Sequence, residues 1–303
     1  MRCVFVAIMM SAIAGSATAE GAWAGYSYAG QGRLLNNDFF GDGHDRWRTG
    51  SYLLGLGYEN PQAPAAISSL ELRLRGESIA PRGVTGSMAT DRAYAGIWSM
   101  GLHSHLRSSD VDLSFGADLV VVGPQTGILE LQESLHDILG AQQIDQTVSD
   151  NQVVNGVFPT VTAELGHDFV VGKGVAVRPF GEASYGVEDF LRVGVDVSIG
   201  DTAQDVVYGR DPVTGQRYKI GESDQTGFGV VLGADYAYVD DSEYFPSDFG
   251  TTMKNERLRA RAGVAWQFTP DMSAYYGITY LSEEYEGQSE GQFVGSLKLN
   301  LNF

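Results

Sequence analysis

The sequence has one cysteine, Cys3, and it lies inside the first apolar stretch. The chain beyond that stretch therefore has no disulfide, no thiolate nucleophile and no cysteine-bound metal. No later apolar run approaches the ~20 residues that a membrane helix needs, which excludes a helical membrane protein. Basic residues are few, 20 Lys+Arg against 38 Asp+Glu for a net charge of -18, and this argues against nucleic acid as a partner. No lysine occurs before Lys173. Proline is also scarce, with 9 residues beside 39 glycines and 15 tyrosines, a balance that suits many short strands and turns.

The first residues carry a different signal. Met1-Arg2, the apolar run from Cys3 to Ile13 and the small residues Ala17-Thr18-Ala19 read as a secretory signal peptide over residues 1–19. Residues 20–303 are then expected to form one domain. Its acidity would attract divalent cations, although most acidic surfaces are simply solvated.

What is present is alternation. Phe293, Gly295, Leu297, Leu299, Leu301 and Phe303 share one parity, and Val294, Ser296, Lys298, Asn300 and Asn302 share the other. Leu70, Leu72 and Leu74 likewise oppose Glu71, Arg73 and Arg75, and Tyr52, Leu54 and Leu56 oppose Ser51 and Gly55. Segments of about ten residues with this pattern are the signature of a transmembrane β-barrel. The fold class expected is therefore all-β: a twelve-stranded antiparallel transmembrane β-barrel with a short helix in an extracellular loop. The candidate strands fall near 27–36, 48–59, 66–77, 93–107, 110–122, 156–168, 175–186, 189–200, 226–239, 254–268, 272–284 and 291–303. An even count returns both termini to the periplasmic side and places the chain in the bacterial outer membrane. One connection breaks the pattern of tight periplasmic turns. Residues 201–225 are too long for one, so either a strand pair is hidden there or the rule fails.

A single stretch reads as a helix. Ile128, Leu131, Leu135, Ile138 and Leu139 recur at helical spacing, with start signals at Pro124 and Thr126 and a stop at Gly140. Gln132 and His136 stack one turn apart beside that face. An amphipathic loop helix with a merely solvated histidine is the bland alternative. The expected topology gathers Asn37, Asp38, His44, Thr49, Asp91-Arg92 and His136 at the outer end, with Thr49 and Ser51 facing the lumen. Inward-pointing His103 and His105 are read as solvated or hydrogen-bonded rather than as a metal pair.

Taken in order, Asn37-Asp38, Arg48-Thr49-Gly50, Asp91-Arg92-Ala93-Tyr94-Ala95-Gly96, Gly123-Pro124, Leu131-Gln132 and Leu135-His136-Asp137-Ile138-Leu139-Gly140 resemble the motifs of the LpxR-type lipid A 3'-O-deacylases. These are twelve-stranded outer-membrane barrels. The motifs cover roughly residues 28–170, and the remainder matches by strand pattern. The resemblance implies hydrolysis of the ester that holds the 3'-linked acyl group on lipid A, with lipopolysaccharide and membrane lipid as partners and a monomeric barrel. His136 matches the catalytic histidine, a general base suited to neutral pH. Asn37 and Asp38 match the positions beside a bound Ca2+, and Thr49 matches a hydroxyl in the site. One departure stands out. The family carries a lysine in the loop after the third strand, whereas here only Arg82 or Arg92 offers a cation, and arginine is not equivalent as a point donor. The rivals are a non-enzymatic barrel (channel, structural or adhesive protein) and a barrel phospholipase. A serine esterase is disfavoured because the histidines give no triad order.

Overall fold

The computed structural model describes residues 25–85, 91–200, 207–221, 226–269 and 272–301. The signal-peptide region, the turn at Pro270-Asp271 and the terminal Phe303 lie outside the described residues. The strands are β1 (Ser27–Asn37), β2 (Trp47–Glu59), β3 (Ser69–Ala80), β4 (Ala95–Ser108), β5 (Val111–Val122), β6 (Gly156–His167), β7 (Phe169–Gly172), β8 (Val175–Tyr185), β9 (Glu188–Gly200), β10 (Tyr208–Arg210), β11 (Arg217–Lys219), β12 (Gly227–Ser242), β13 (Glu256–Thr269), β14 (Met272–Leu281) and β15 (Gln292–Leu301).

Twelve of these close into an antiparallel barrel. β1 pairs with β15, β6 pairs with β8, and every other barrel strand pairs with its neighbours in sequence. β7 is a four-residue extension on β8. Closure leaves no free sheet edge, the condition for a sheet to cross a bilayer. Parity sorts the side chains as alternation predicts. Leu102, Leu113, Phe115, Val161, Leu191, Val193 and Leu299 are exposed on the lipid-facing wall, while Glu71, Glu77, Arg178, Arg192, Asp235 and Arg259 are buried inside.

The lumen is filled by paired charge. Glu284 meets Arg48, Arg92 and Arg257 at 2.8–2.9 Å, Arg178 meets Glu164 at 2.8 Å, and Arg259 meets Asp235 at 2.9 Å. His103 and His105 each face a carboxylate of their own, Asp118 and Glu71, both at 3.0 Å. Burying so many charges is tolerable only because each finds a partner.

The long inner connection does hide a strand pair. β10 and β11 form a hairpin that folds back from the inner rim into the lumen. Asp211 makes its turn by accepting from the Thr214 amide and hydroxyl, both at 2.7 Å, and Gly215 follows with φ +71°. Tyr218 donates to Glu71 at 2.6 Å and packs with Leu53 and Ile220. Arg210 reaches Asp196 at 2.8 Å, and Gln216 bonds Thr279 at 3.1 Å. The hairpin thus touches both halves of the barrel, which makes it a plug.

Candidate functional site at the outer rim

The opposite rim carries the longer loops, as the outer rim of such barrels does. At the end of β1, Asn37 accepts from the Phe39 amide at 2.9 Å and so starts the 3-10 turn Asp38–Phe40. Asp38 is 1% exposed, and its Oδ2 accepts from the Arg46 amide at 2.8 Å, which draws the loop back on itself. The backbone then passes through Trp47, a non-glycine at φ +55°, held by a 2.9 Å bond from its indole to Tyr285.

A bulge follows. In the β2–β3 register Arg48 opposes Ile79 and Gly50 opposes Ser78, which leaves Thr49 as the extra residue. Bulges re-aim side chains. Arg48 joins the lumen network, whereas the Thr49 hydroxyl lies 2.6 Å from Asp45 Oδ1 and 3.2 Å from Asp38 Oδ1. The simple inward parity expected for Thr49 is corrected by that inserted residue. A threonine hydroxyl has one hydrogen and cannot give a full bond to both carboxylates. The second contact is met by a shared hydrogen, by a proton on Asp38 or by a cation between them. Burial, with Asp45 and Asp42 close by, pushes Asp38 up to about 8.

The helix arrives from the other side. Pro124–Thr126 forms a separate 3-10 turn, Gly127 takes a left-handed conformation, and the helix proper runs Ile128–Leu139 to a left-handed Gly140. Trp98 donates to the Thr126 carbonyl at 3.0 Å, and Ile128 and Leu129 pack on Ala80 and Tyr94. The apolar face differs from the expected one. Ile128 and Leu129 are buried, whereas Leu135 and Ile138 are 47% and 79% exposed.

His136 stands in the last turn. Its Nδ1 lies 2.6 Å from the Gln142 carbonyl, which only accepts, so Nδ1 carries hydrogen. Its Nε2 lies 3.1 Å from Asp45 Oδ2. Gln132, one turn back, donates to Asp45 at 3.1 Å and accepts from the buried Tyr94 hydroxyl at 2.9 Å. Asp45 is thus the hub of the site, joining Thr49, Gln132 and His136.

The structure brings Asp38, Thr49 and His136 together through Asp45. Asn37 contributes the turn rather than a bond to that hub. Arg92 is spent on Glu284, 1% exposed, and Asp91 bonds the Arg82 amide and Tyr285, so these two make no ion pair with each other. Asp45 and Tyr94 were not singled out from sequence as site residues. Asp45 sits in an aperiodic loop, and its only signal is a carboxylate four residues before the matched threonine. Gly287-Gln288-Ser289-Glu290-Gly291 spells Gly-x-Ser-x-Gly, but it lies in a strand-to-strand loop with no following helix, so it is not a nucleophile elbow.

These features define a class: a closed, plugged barrel of the outer membrane with a histidine–carboxylate site on its outer rim. The family described as Outer membrane protein LpxR matches residues 3–303, and the chain belongs to that family. Among solved structures, LpxR from Salmonella typhimurium superposes with a TM-score of 0.74 at 18% identity, covering 91% of this chain and 100% of that one. The translocator domain of autotransporter NalP from Neisseria meningitidis gives a TM-score of 0.43 at 10% identity, covering 100% and 96%. No curated protein sequence matches.

Proposed function

We propose that the chain is a lipid A 3'-O-deacylase, hydrolysing the ester that holds the 3'-linked acyl group in the outer leaflet. The observation that carries this reading is the His136–Asp45 pair at 3.1 Å, set beside Thr49 and the buried Asp38 on the rim of a family-typed barrel. Hydrogen on Nδ1, fixed by the Gln142 carbonyl, leaves Nε2 as the basic nitrogen. Nε2 meets the Asp45 carboxylate only while it carries hydrogen, so in the base form that contact is open and a water entering between the two gives its proton to Nε2 as its oxygen attacks the acyl carbonyl. Asp45 accepts from the imidazolium so formed, and Gln132 with Tyr94 holds Asp45 in place. The proton then passes to the departing sugar oxygen, leaving a free fatty acid and a hydroxyl. General-base help of this kind contributes roughly 10²–10⁴-fold.

The donors present fit a calcium ion. Asp38, Asp45 and Thr49 offer oxygen only, as a hard cation requires, no guanidinium among the described residues bonds either carboxyl group, and a bound cation would take the place of the proton that burial favours on Asp38. Among the described residues no set of three or more His, Cys, Asp or Glu is arranged for a metal, so backbone oxygens and water would complete the shell. When bound, the ion would supply electrophilic stabilisation of the developing oxyanion.

The test is the lipid A profile of purified lipopolysaccharide incubated with the protein in calcium. His136→Ala is expected to lower acyl release at least 10²-fold. Unchanged lipid A with the wild-type protein, read by mass spectrometry, would refute the activity, and release from phospholipid alone would reassign the substrate.

A further inference from the structure

The hub of the rim site stands two positions before a strained residue. Trp47 is one of two non-glycine residues with positive φ among the described residues, and left-handed backbone is uncommon for so bulky a side chain. A glycine would take φ +55° without steric cost. A buried tryptophan there must be held by what surrounds it. The hold is a chain of hydrogen bonds with one direction. An indole only donates, so the Tyr285 hydroxyl accepts from Trp47 at 2.9 Å and spends its own hydrogen on the Asp91 carboxylate. Asp91 is tied in turn, its Oδ1 accepting from the Arg82 amide at 2.8 Å and its carbonyl from the Thr251 hydroxyl at 3.0 Å. The outer connections after β3, β12 and β14 thus converge on one indole.

The backbone on either side of Trp47 is clamped as well. The buried Gln292 accepts from the Arg48 amide at 3.1 Å and donates to the Arg46 carbonyl at 2.7 Å. One side-chain amide therefore does the work of a neighbouring strand just where the bulge at Thr49 interrupts the ladder. The Arg46 guanidinium lies 4.3 Å from the indole centroid and bonds Asp42 and Glu290 at 3.1 and 2.8 Å. With its amide on Asp38, both backbone polar groups of Arg46 are fixed, and Asp45 precedes it directly. Relaxation of Trp47 to negative φ would swing Asp45 off its 2.6 Å contact with Thr49 and its 3.1 Å contact with His136. A misplacement of about 1 Å can cost about 10²-fold in rate.

We propose that Trp47, Tyr285 and Gln292 are positioning residues of the rim site, acting through Asp45, and that Asp91 anchors them to the connection after β3. Among the described residues none of the three bonds His136, so their effect on the reaction passes through the carboxylate that they aim. The inference rests on the ester-hydrolase reading for the reaction that the brace serves. The brace itself rests on the bonds around Trp47.

The test is a cycle of variants assayed on purified lipopolysaccharide in calcium, each checked for barrel formation by heat-modified mobility. Tyr285→Phe removes the hydroxyl that joins Trp47 to Asp91, and Trp47→Phe removes the donor to that hydroxyl. Each is expected to lower kcat about tenfold with KM unchanged, and the two together no more than either, since both break one bond. With Asp45→Ala already present, Tyr285→Phe should cost nothing further, because the carboxylate that it positions is gone. A merely structural bond would instead multiply its loss with that of Asp45→Ala. Unchanged kcat in Tyr285→Phe, or a further loss of about tenfold on top of Asp45→Ala, overturns the proposal. Should Trp47→Phe form no barrel, Tyr285→Phe with and without Asp45→Ala carries the test alone. A wild-type protein that releases no acyl group would remove the hydrolase reading, and amide exchange in residues 43–48 would then decide the brace. Exchange about tenfold faster in Tyr285→Phe is expected, and an unchanged rate overturns it.

Discussion

The lumen and the outer-rim site hold the same kinds of side chain and treat them in opposite ways. Inside the barrel Asp235 meets Arg192 and Arg259 at 3.2 and 2.9 Å, and Glu284 meets three guanidinium groups. At the rim Asp38 and Asp45 share the Thr49 hydroxyl, with the Arg46 amide on Asp38 and Gln132 and His136 on Asp45, and no guanidinium bonds either carboxyl group among the described residues. Compensated charge is structure, because its removal leaves a buried partner stranded. Uncompensated charge is chemistry held in readiness, because it still has a proton or a cation to accept.

That contrast can be broken most forcefully at its hub. Asp45→Ala should lower acyl release by about 10²–10³-fold, with barrel formation intact by heat-modified electrophoretic mobility. Retained activity would reduce Asp45 to a bystander of His136. In the lumen the effect should be inverted. Glu284→Ala strands Arg48, Arg92 and Arg257 and should cost about 3–5 kcal/mol of unfolding free energy, leaving kcat of the folded fraction unchanged.

A smaller effect follows from Asp38. Burial holds it at about 8, above the ordinary 3.8, so its proton contributes stability fully present below the unfolded value and lost as pH rises through about 8. In a chelator, amide exchange in residues 38–46 should therefore quicken between pH 7 and pH 9. Asp38→Asn should erase the step, and a flat wild-type profile would contradict the assignment. The smallest effect is expected from His105→Gln, which leaves the Glu71–Arg73 and Glu71–Tyr218 bonds in place. It should shift stability by about 1 kcal/mol and leave acyl release untouched.

The barrel was legible because alternation is a property of each strand alone. All twelve candidate segments near 27–36 through 291–303 coincide with observed strands, since one buried and one lipid-facing side impose period two. The plug was visible only as an overlong turn, because β10 and β11 are three residues each and show no period. At the site, the placement of His136 could be read from the helix that carries it. Thr49 could not be oriented, because a bulge is a register event and leaves no mark in parity. Asp45 and Tyr94 lie in irregular backbone, where only folding brings them to Gln132. The helix's apolar spacing was legible, but not what it faces: Ile128 is buried on the wall, while Leu135 and Ile138 are exposed.

The hairpin inside the lumen has a consequence for the cell envelope. Arg210, Gln216 and Tyr218 tie it to strands around the circumference, so the girth of the cylinder serves as a frame and not as a conduit. Planar bilayers containing the protein should carry no steady current. An envelope holding many copies would then admit no more antibiotic or bile salt than one holding none, so the permeability barrier sets no ceiling on its abundance.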